Sequence, residues 1–282
     1  TGTRARKSSA GYDLTRLYVG SEGTLGVMTE ITLKLYPLPE AVSAATCSFP
    51  SIDAAVRTTI QIIQTGVPIA RCELLDPNTV RAVNRHDKLT LAEVPMLLME
   101  FHGSPAGVRE QAATVQEIAA EFGGEGFQWA DTPEERTKLW TARHHAYFSA
   151  LQMRPGCRCV TTDTCVPISR LAECINETVA EVDASGIPYF IVGHVGDGNF
   201  HVGYLIDPAS DSERDTAEAL NARLVERALR MDGTCTGEHG VGLHKMGFLA
   251  AEAGAGAVDQ MRALKRALDP KNIMNPGKIF SL

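Results

Sequence analysis

No apolar run in this 282-residue chain approaches the roughly 20 residues that a helix needs to cross a bilayer. Clustered basic charge is scarce as well. Arg4-Ala5-Arg6-Lys7 is the exception, too short to make a nucleic-acid footprint against a net charge of −7. There is no C-x-x-C pair among the seven cysteines (47, 72, 157, 159, 165, 174 and 235). An odd number in a chain long enough to build its own core reads as reduced thiols in a cytoplasmic compartment. Residues 1–11 are polar and lack the apolar core of a signal peptide. Thr1 leads almost at once into a Gly-rich turn and a strand-like segment, the layout expected in the middle of a domain, so a fragment of a longer protein is expected. Neither an internal repeat nor a low-complexity tract is present. What remains, 44% hydrophobic and 22% charged, is an ordinary globular composition.

Val27 to Tyr36 alternates, with Val27, Ile31, Leu33 and Leu35 on one face and Glu30, Thr32 and Lys34 on the other, which predicts a half-buried strand. Pro37-Leu38-Pro39 ends it and marks a boundary. Further strands are expected at Ala45–Phe49, Met96–Phe101 and around Cys159–Val166, with a hairpin over Ile187–Ile206. Helices are expected from Ser51 to Gly66, Pro105 to Phe122, Pro133 to Leu151, Ser169 to Asp183, Asp211 to Met231 and Gly256 to Leu268. A hairpin in place of strict strand-helix alternation favours an α+β domain, with helices packed on a largely antiparallel sheet, over a doubly wound fold.

The most specific stretch is Gly193-His194-Val195-Gly196-Asp197-Gly198-Asn199-Phe200-His201. Asp-Gly between apolar runs is a hairpin signal, because a type I′ turn needs positive φ at both central residues. With Asp197 and Gly198 at the turn, His194 faces His201, their Cβ atoms about 5 Å apart on one face. Two imidazoles so placed reach one metal through bonds of about 2 Å; the plainer alternative is a cross-strand pair that only hydrogen-bonds. Gly237-Glu238-His239-Gly240-Val241-Gly242 is a second cluster, whose glycines imply close approach of the backbone to a neighbour, or a tight turn. Glu238 would complete a two-His, one-carboxylate set with positions left open for substrate. His239 is then available as an acid or base. The alternative is a glycine-rich helix entry capped by a carboxylate.

Near the start, Gly20-Ser21-Glu22-Gly23-Thr24-Leu25-Gly26 precedes a strand rather than a helix, so it does not fit the dinucleotide fingerprint. Its glycines and small hydroxyl residues suit a backbone pressed against a flat or phosphorylated ligand.

Taken in order, the Gly-Ser-Glu-Gly-Thr-Leu-Gly turn, the Gly-His-x-Gly-Asp-Gly-Asn-x-His hairpin, Gly-Glu-His-Gly and the closing Asn275-Pro276-Gly277-Lys278 resemble the FAD-linked oxidases of the vanillyl-alcohol-oxidase type. Within them they resemble the D-lactate dehydrogenase, glycolate oxidase and D-2-hydroxyglutarate dehydrogenase branch. The resemblance implies that residues 1–38 end an FAD-binding lobe, 39–265 form a substrate-binding cap, and 266–282 return to the flavin. It implies FAD contacts from Gly20, Ser21, Glu22, Gly23, Thr24, Gly26 and Asn275, with most of the FAD lobe outside this chain. It also implies a divalent metal (zinc, manganese or iron) on His194, His201 and Glu238, His239 as catalytic base, and Arg143 in Trp140-Thr141-Ala142-Arg143 as the grip on the substrate carboxylate, for which a planar guanidinium is well shaped.

This chain departs from the hydroxyglutarate enzymes at two positions. Tyr147 stands where they have a threonine, and Thr161, ahead of Asp163 and Pro167, stands where they carry a substrate-binding lysine. Losing that lysine favours a monocarboxylate such as D-lactate. The implied partners are a small 2-hydroxy acid and an electron acceptor of the quinone, cytochrome or electron-transfer-flavoprotein kind. A homodimer, and peripheral contact with an inner membrane, are compatible with this reading. Two competing readings are a flavin-free hydrolase that uses the same metal set to activate water, and a non-catalytic module that needs a separate FAD lobe.

Overall fold

The computed structural model describes residues 1–282 and divides them into two compact units, Pro37–Thr234 and the combination of Thr1–Tyr36 with Cys235–Leu282. The larger unit begins at the proline pair. Its elements are β1 (Ala41–Ser48), α2 (Ile52–Gln64), β2 (Ile69–Leu75), α3 (Pro77–Asp87), β3 (Met96–Gly103), α4 (Pro105–Glu121), β4 (Glu125–Ala130), α5 (Pro133–Leu151), β5 (Arg158–Thr161), β6 (Thr164–Cys165), α6 (Leu171–Ser185), β7 (Tyr189–His194), β8 (Asn199–Ile206) and α7 (Asp211–Arg230); the short α1 (Leu14–Tyr18) precedes them in the smaller unit. The strands form one sheet in the order β4-β1-β3-β2-β7-β8-β5, with β6 also on β8, and every pairing is antiparallel. The α+β class expected from the sequence is the one observed.

Local sequence explains where the helices begin. Ser51, Asp76, Ser104, Thr132 and Ser210 are N-caps whose side chains accept from the amide three residues on, and proline follows the cap in α3, α4 and α5. Each such cap is worth about 1 kcal/mol, and proline at the first helical position removes an amide that has no helical partner.

Both faces of the sheet are covered, and the period-2 alternation of the strands sorts side chains between them. Leu74, Leu97, Phe200, Val202 and Tyr204 join residues of α2, α4, α6 and α7 in the larger core. Their neighbours Leu75, Leu98, Val192 and Leu205 point the other way, onto Val80 and Val83 of α3 and onto Trp140, Ala142, Ala146 and Ala150 of α5. The candidate site lies on this second face.

Two sequence expectations need correction. Cys159–Val166 is two short strands rather than one, interrupted at Thr162 and Asp163. Val27–Tyr36 forms no strand despite its alternation; Val27, Ile31, Leu33 and Leu35 are exposed, and no strand of the chain pairs with the segment. Alternation equips a segment for a sheet, but the ladder needs a partner to exist. Residues 235–265 group in the structure with Thr1–Tyr36 in the smaller unit. There α8 (Met246–Ala253) and α9 (Ala255–Leu268) place Leu249 and Val258 against Ile279 and Phe280 in a separate apolar cluster.

One buried acid in the larger unit has a measurable consequence. Asp76 is 1% exposed, and burial pushes its carboxyl up to about 6 despite hydrogen bonds from the Thr79 amide and hydroxyl. Unfolded aspartate titrates near 3.9. Between about pH 4 and pH 6 the folded state therefore holds a proton that the unfolded state has released, so stability falls as pH rises through this window and is flat above it. Asp76→Asn keeps a capping oxygen without the ionisation. Urea unfolding at about pH 4 and pH 7 should show wild type losing up to about 3 kcal/mol relative to the variant; equal slopes would mean that Asp76 stays ionised throughout.

Candidate active site

The β7–β8 hairpin is present, but its register differs from the expected one. His194 pairs with Asn199 and Val192 with His201, so four residues, Val195 to Gly198, make the connection instead of two. The Asp197 amide donates to the His194 carbonyl (2.9 Å) and the Val166 amide to the Gly198 carbonyl (3.0 Å). Gly198 sits at φ +81°, where a Cβ would meet the Val166 carbonyl oxygen at 2.2 Å, so glycine is required there. The two registers differ by two residues, which preserves the face of every side chain. His194 and His201 therefore still share the face covered by α3 and α5, as diagonal rather than opposed neighbours, with ring centroids 5.6 Å apart and planes near perpendicular.

Each imidazole is oriented by a bond at Nδ1. His201, 8% exposed, donates from Nδ1 to the Thr162 carbonyl oxygen (3.0 Å). That acceptor cannot donate, so Nδ1 carries a proton and, in the neutral ring, Nε2 has the lone pair. His194 Nδ1 lies 2.7 Å from Glu73 Oε1, and the carboxylate imposes the same tautomer. Asp163, buried beside β8, accepts from Asn199 Nδ2 (2.9 Å) and stands 3.7 Å from His201 Nδ1. Arg143 reaches the same place from α5, where it follows Ala142 on the helix stripe that packs against the sheet. Its Nε donates to Glu73 Oε2 at 3.0 Å.

Glu73, Thr162 and Asp163 were not singled out from sequence. Glu73 follows from strand pairing: Leu74 pairs with Gly193 and Leu75 with Val192, so one further step sets Glu73 against His194. The local signal was Ile69–Leu75 running into Asp76-Pro77, a strand delivered to a capped helix with proline at its first position. Arg71, two residues before Glu73, lies over the Trp140 ring at 4.6 Å and adds a second cation on this face.

The structure brings His194, His201 and Arg143 together within the larger unit; the other expected residues belong to the smaller one. There Glu22 (φ +50°) is held by the Gly-rich loop of the Glu238 motif, its Oε1 accepting from the Val241 amide at 2.8 Å and its Oε2 from the Gly242 amide at 3.0 Å. The close neighbour implied by those glycines is thus Glu22: a Cβ on Gly240 would meet Glu22 Oε1 at 2.7 Å. Glu238 and His239 are half-exposed in the same loop. Asn275 Nδ2 donates to the Glu22 carbonyl at 2.6 Å, and the Thr24 hydroxyl to the Ser21 carbonyl at 2.7 Å. Lys265, also not anticipated, is buried and donates to the Thr24 and Met274 carbonyls and to Asp269. Gly20 and Gly23 adopt φ +81° and +72°, and Gly26 packs against Tyr18. A cavity of about 250 Å³ beside this loop is lined by Thr24, Lys265, Asn275 and Lys278.

The donor chemistry fits a borderline-soft divalent cation, since both Nε2 atoms are Lewis-basic and both rings carry the acceptor at Nδ1 that metal-bound imidazoles usually have. For a flavin, open backbone at Gly20 and Gly23, where no atom lies within 4 Å of a would-be Cβ, gives a flat ligand room to approach.

The larger unit is thus a mixed sheet-and-helix unit with an arginine and an imidazole pair on one face. The sequence profile described as "FAD linked oxidases, C-terminal domain" matches residues 38–279, and the chain belongs to that family. It is 50% identical over 281 residues to a protein described as a probable mitochondrial D-lactate dehydrogenase of Danio rerio, covering 100% of this chain and 56% of that protein. It is 47% identical to the mitochondrial D-lactate dehydrogenase [cytochrome] of Arabidopsis thaliana (99% and 49%) and 37% identical to a glycolate oxidase subunit of Bacillus subtilis (100% and 60%). The chain thus spans about half the length of the first two relatives. Among solved structures, 4-ethylphenol oxidase from Gulosibacter chungangensis superposes with a TM-score of 0.65 at 15% identity, over 88% of this chain and 56% of that one. An alkyldihydroxyacetonephosphate synthase does so with a TM-score of 0.60 at 18% identity, over 96% and 51%. These two likenesses speak to fold alone.

Proposed function

We propose that this chain supplies the substrate and metal site of an FAD-dependent enzyme that oxidises a D-2-hydroxy acid, D-lactate or a similar monocarboxylate, to the 2-keto acid. The observation that carries the reading is the cluster around the buried Glu73, which accepts from both His194 and Arg143, with the His201 ring beside it. Names of the relatives support the substrate class, and Thr161 in place of a lysine supports a single carboxylate. His194, His201 and Glu238 would hold zinc, manganese or iron, and residues Gly20 to Gly26 with Asn275 would contact FAD. When bound, the flavin supplies the hydride acceptor and the metal a Lewis acid. Arg143, held at Nε, offers its terminal nitrogens to the substrate carboxylate, a charge-assisted pairing. His239 takes the hydroxyl proton as C2 gives up its hydride and the C2–O bond becomes a carbonyl.

A cytochrome leads the proposed acceptors, ahead of a quinone or an electron-transfer flavoprotein, because the Arabidopsis relative's name includes it. No helix is long and apolar enough to cross a membrane. The compartment is also part of the proposal: seven unpaired cysteines fit a reducing interior, and the relatives from zebrafish and Arabidopsis are mitochondrial. The hydrolase alternative leaves the match to FAD-linked oxidases unexplained. In the full-length protein His239→Ala should lower kcat by about 10²- to 10⁴-fold, the usual contribution of a general base, while KM changes little. Steady-state kinetics with unchanged kcat would remove His239 from the mechanism.

A further inference from the structure

Glu73 is 4% exposed, and its two oxygens serve different groups: Oε1 takes the Nδ1 proton of His194 at 2.7 Å, and Oε2 takes the Nε proton of Arg143 at 3.0 Å. A carboxylate offers acceptors only, so neither neighbour can reverse its bond without losing it. For His194 this fixes the tautomer that leaves Nε2 basic. For Arg143 it fixes the roll of the guanidinium plane and keeps Nε occupied, so the terminal nitrogens are the ones presented. His201 has the same tautomer for a different reason, a main-chain carbonyl, and is independent of Glu73.

We infer that Glu73 is a positioning residue that sets the His194 tautomer and the Arg143 orientation together, coupling the metal ligand to the carboxylate grip. The inference rests on the proposed function for its consequences, but not for its geometry. Glu73 sits buried on β2, with one oxygen taken by His194 and the other by Arg143 of α5. An amide cannot replace it. Glutamine accepts through one atom and donates through the other, so Glu73→Gln either turns a donor toward His194, moving that proton to Nε2, or turns a donor against the Arg143 Nε–H. Losing the partner behind a metal-bound histidine typically costs 10- to 100-fold in metal affinity.

The test uses the full-length protein labelled with ¹⁵N in its histidine rings. NMR of the wild type stripped of metal by a chelator should show His194 and His201 both in the Nδ1–H form. A wild-type His194 in the Nε2–H form overturns the proposal without any variant being made. In Glu73→Gln, His194 should shift toward Nε2–H while His201 stays unchanged as the internal control. Zinc affinity, read by competition with a chromophoric chelator, should fall about 10- to 100-fold, and KM for D-lactate should rise at unchanged flavin content. A folded variant in which the His194 tautomer, the zinc affinity and KM all keep their wild-type values contradicts the proposal; a rise in KM with the tautomer unchanged is the outcome in which the amide turns its oxygen to His194 and its donor against Arg143. Failure of the functional reading looks different: the tautomer results hold, yet wild type binds no zinc and oxidises no 2-hydroxy acid.

Discussion

On the proposed metal site, His201→Ala is expected to weaken metal binding in the full-length protein by at least 100-fold, more than the loss of a partner behind a ligand would. His201 is nearly buried on β8, oriented by the Thr162 carbonyl, and shares its face with His194 5.6 Å away. A lone imidazole keeps neither the pair nor the open geometry that a two-histidine set provides. Lewis-acid assistance is worth several kcal/mol of transition-state stabilisation, so kcat/KM for D-lactate should fall by about 10³-fold, equivalent to about 4 kcal/mol. The fold should survive, because leaving the Thr162 carbonyl without its imidazole donor costs about 1–3 kcal/mol, less than the stability of a typical domain. Elemental analysis, steady-state kinetics and a thermal melt separate these effects. Full activity in metal-free variant protein would show that the histidine pair is only structural.

The second large effect is expected from Arg143→Lys. The substitution keeps the charge but exchanges a planar fork for a single ammonium, and removes the Nε–H that Glu73 now accepts at 3.0 Å. Lysine can approach Glu73 or a substrate carboxylate, but not both in a fixed plane. Hydrogen bonds to charged groups contribute about 1.5–3 kcal/mol each, so KM for D-lactate should rise by about 100-fold while kcat falls less. Stopped-flow reduction of the flavin at saturating and limiting substrate separates the two. An unchanged KM would mean that another cation grips the carboxylate, with Arg71, stacked on Trp140, the first to test.

The sequence made the hairpin histidines legible because turn chemistry is local: Asp197-Gly198 between apolar runs announces a reversal wherever it occurs. The register was legible only to within its parity. A two-residue turn and the observed four-residue connection differ by two, so both imidazoles stayed on the anticipated face although their partners changed. The helices with a cap and a proline, such as Pro105–Glu121 and Pro133–Leu151, were readable for the same local reason.

What lay hidden depended on pairing across the sheet. Ile69–Leu75 lies between two strands and is buried at its end on both faces, so Cys72, Leu74 and Leu75 break the alternation that would have marked it. With that strand unread, Glu73 had no neighbours, and nothing local to residue 73 predicts an imidazole from residue 194 and a guanidinium from residue 143. The converse error, a strand expected at Val27–Tyr36, arose from a clean alternating pattern for which the chain supplies no pairing strand. In the smaller unit the glycines around Glu238 correctly announced a close approach, but they did not reveal that the approaching group is Glu22.

The most direct test of the account is anaerobic addition of D-lactate to the purified full-length flavoprotein, with the flavin absorbance followed before and after chelator removes the metal. Bleaching that is lost on metal removal, restored by zinc or manganese, and absent in His201→Ala is the predicted result. Bleaching that persists undiminished without metal, or no bleaching with D-lactate or any other D-2-hydroxy acid, would contradict it.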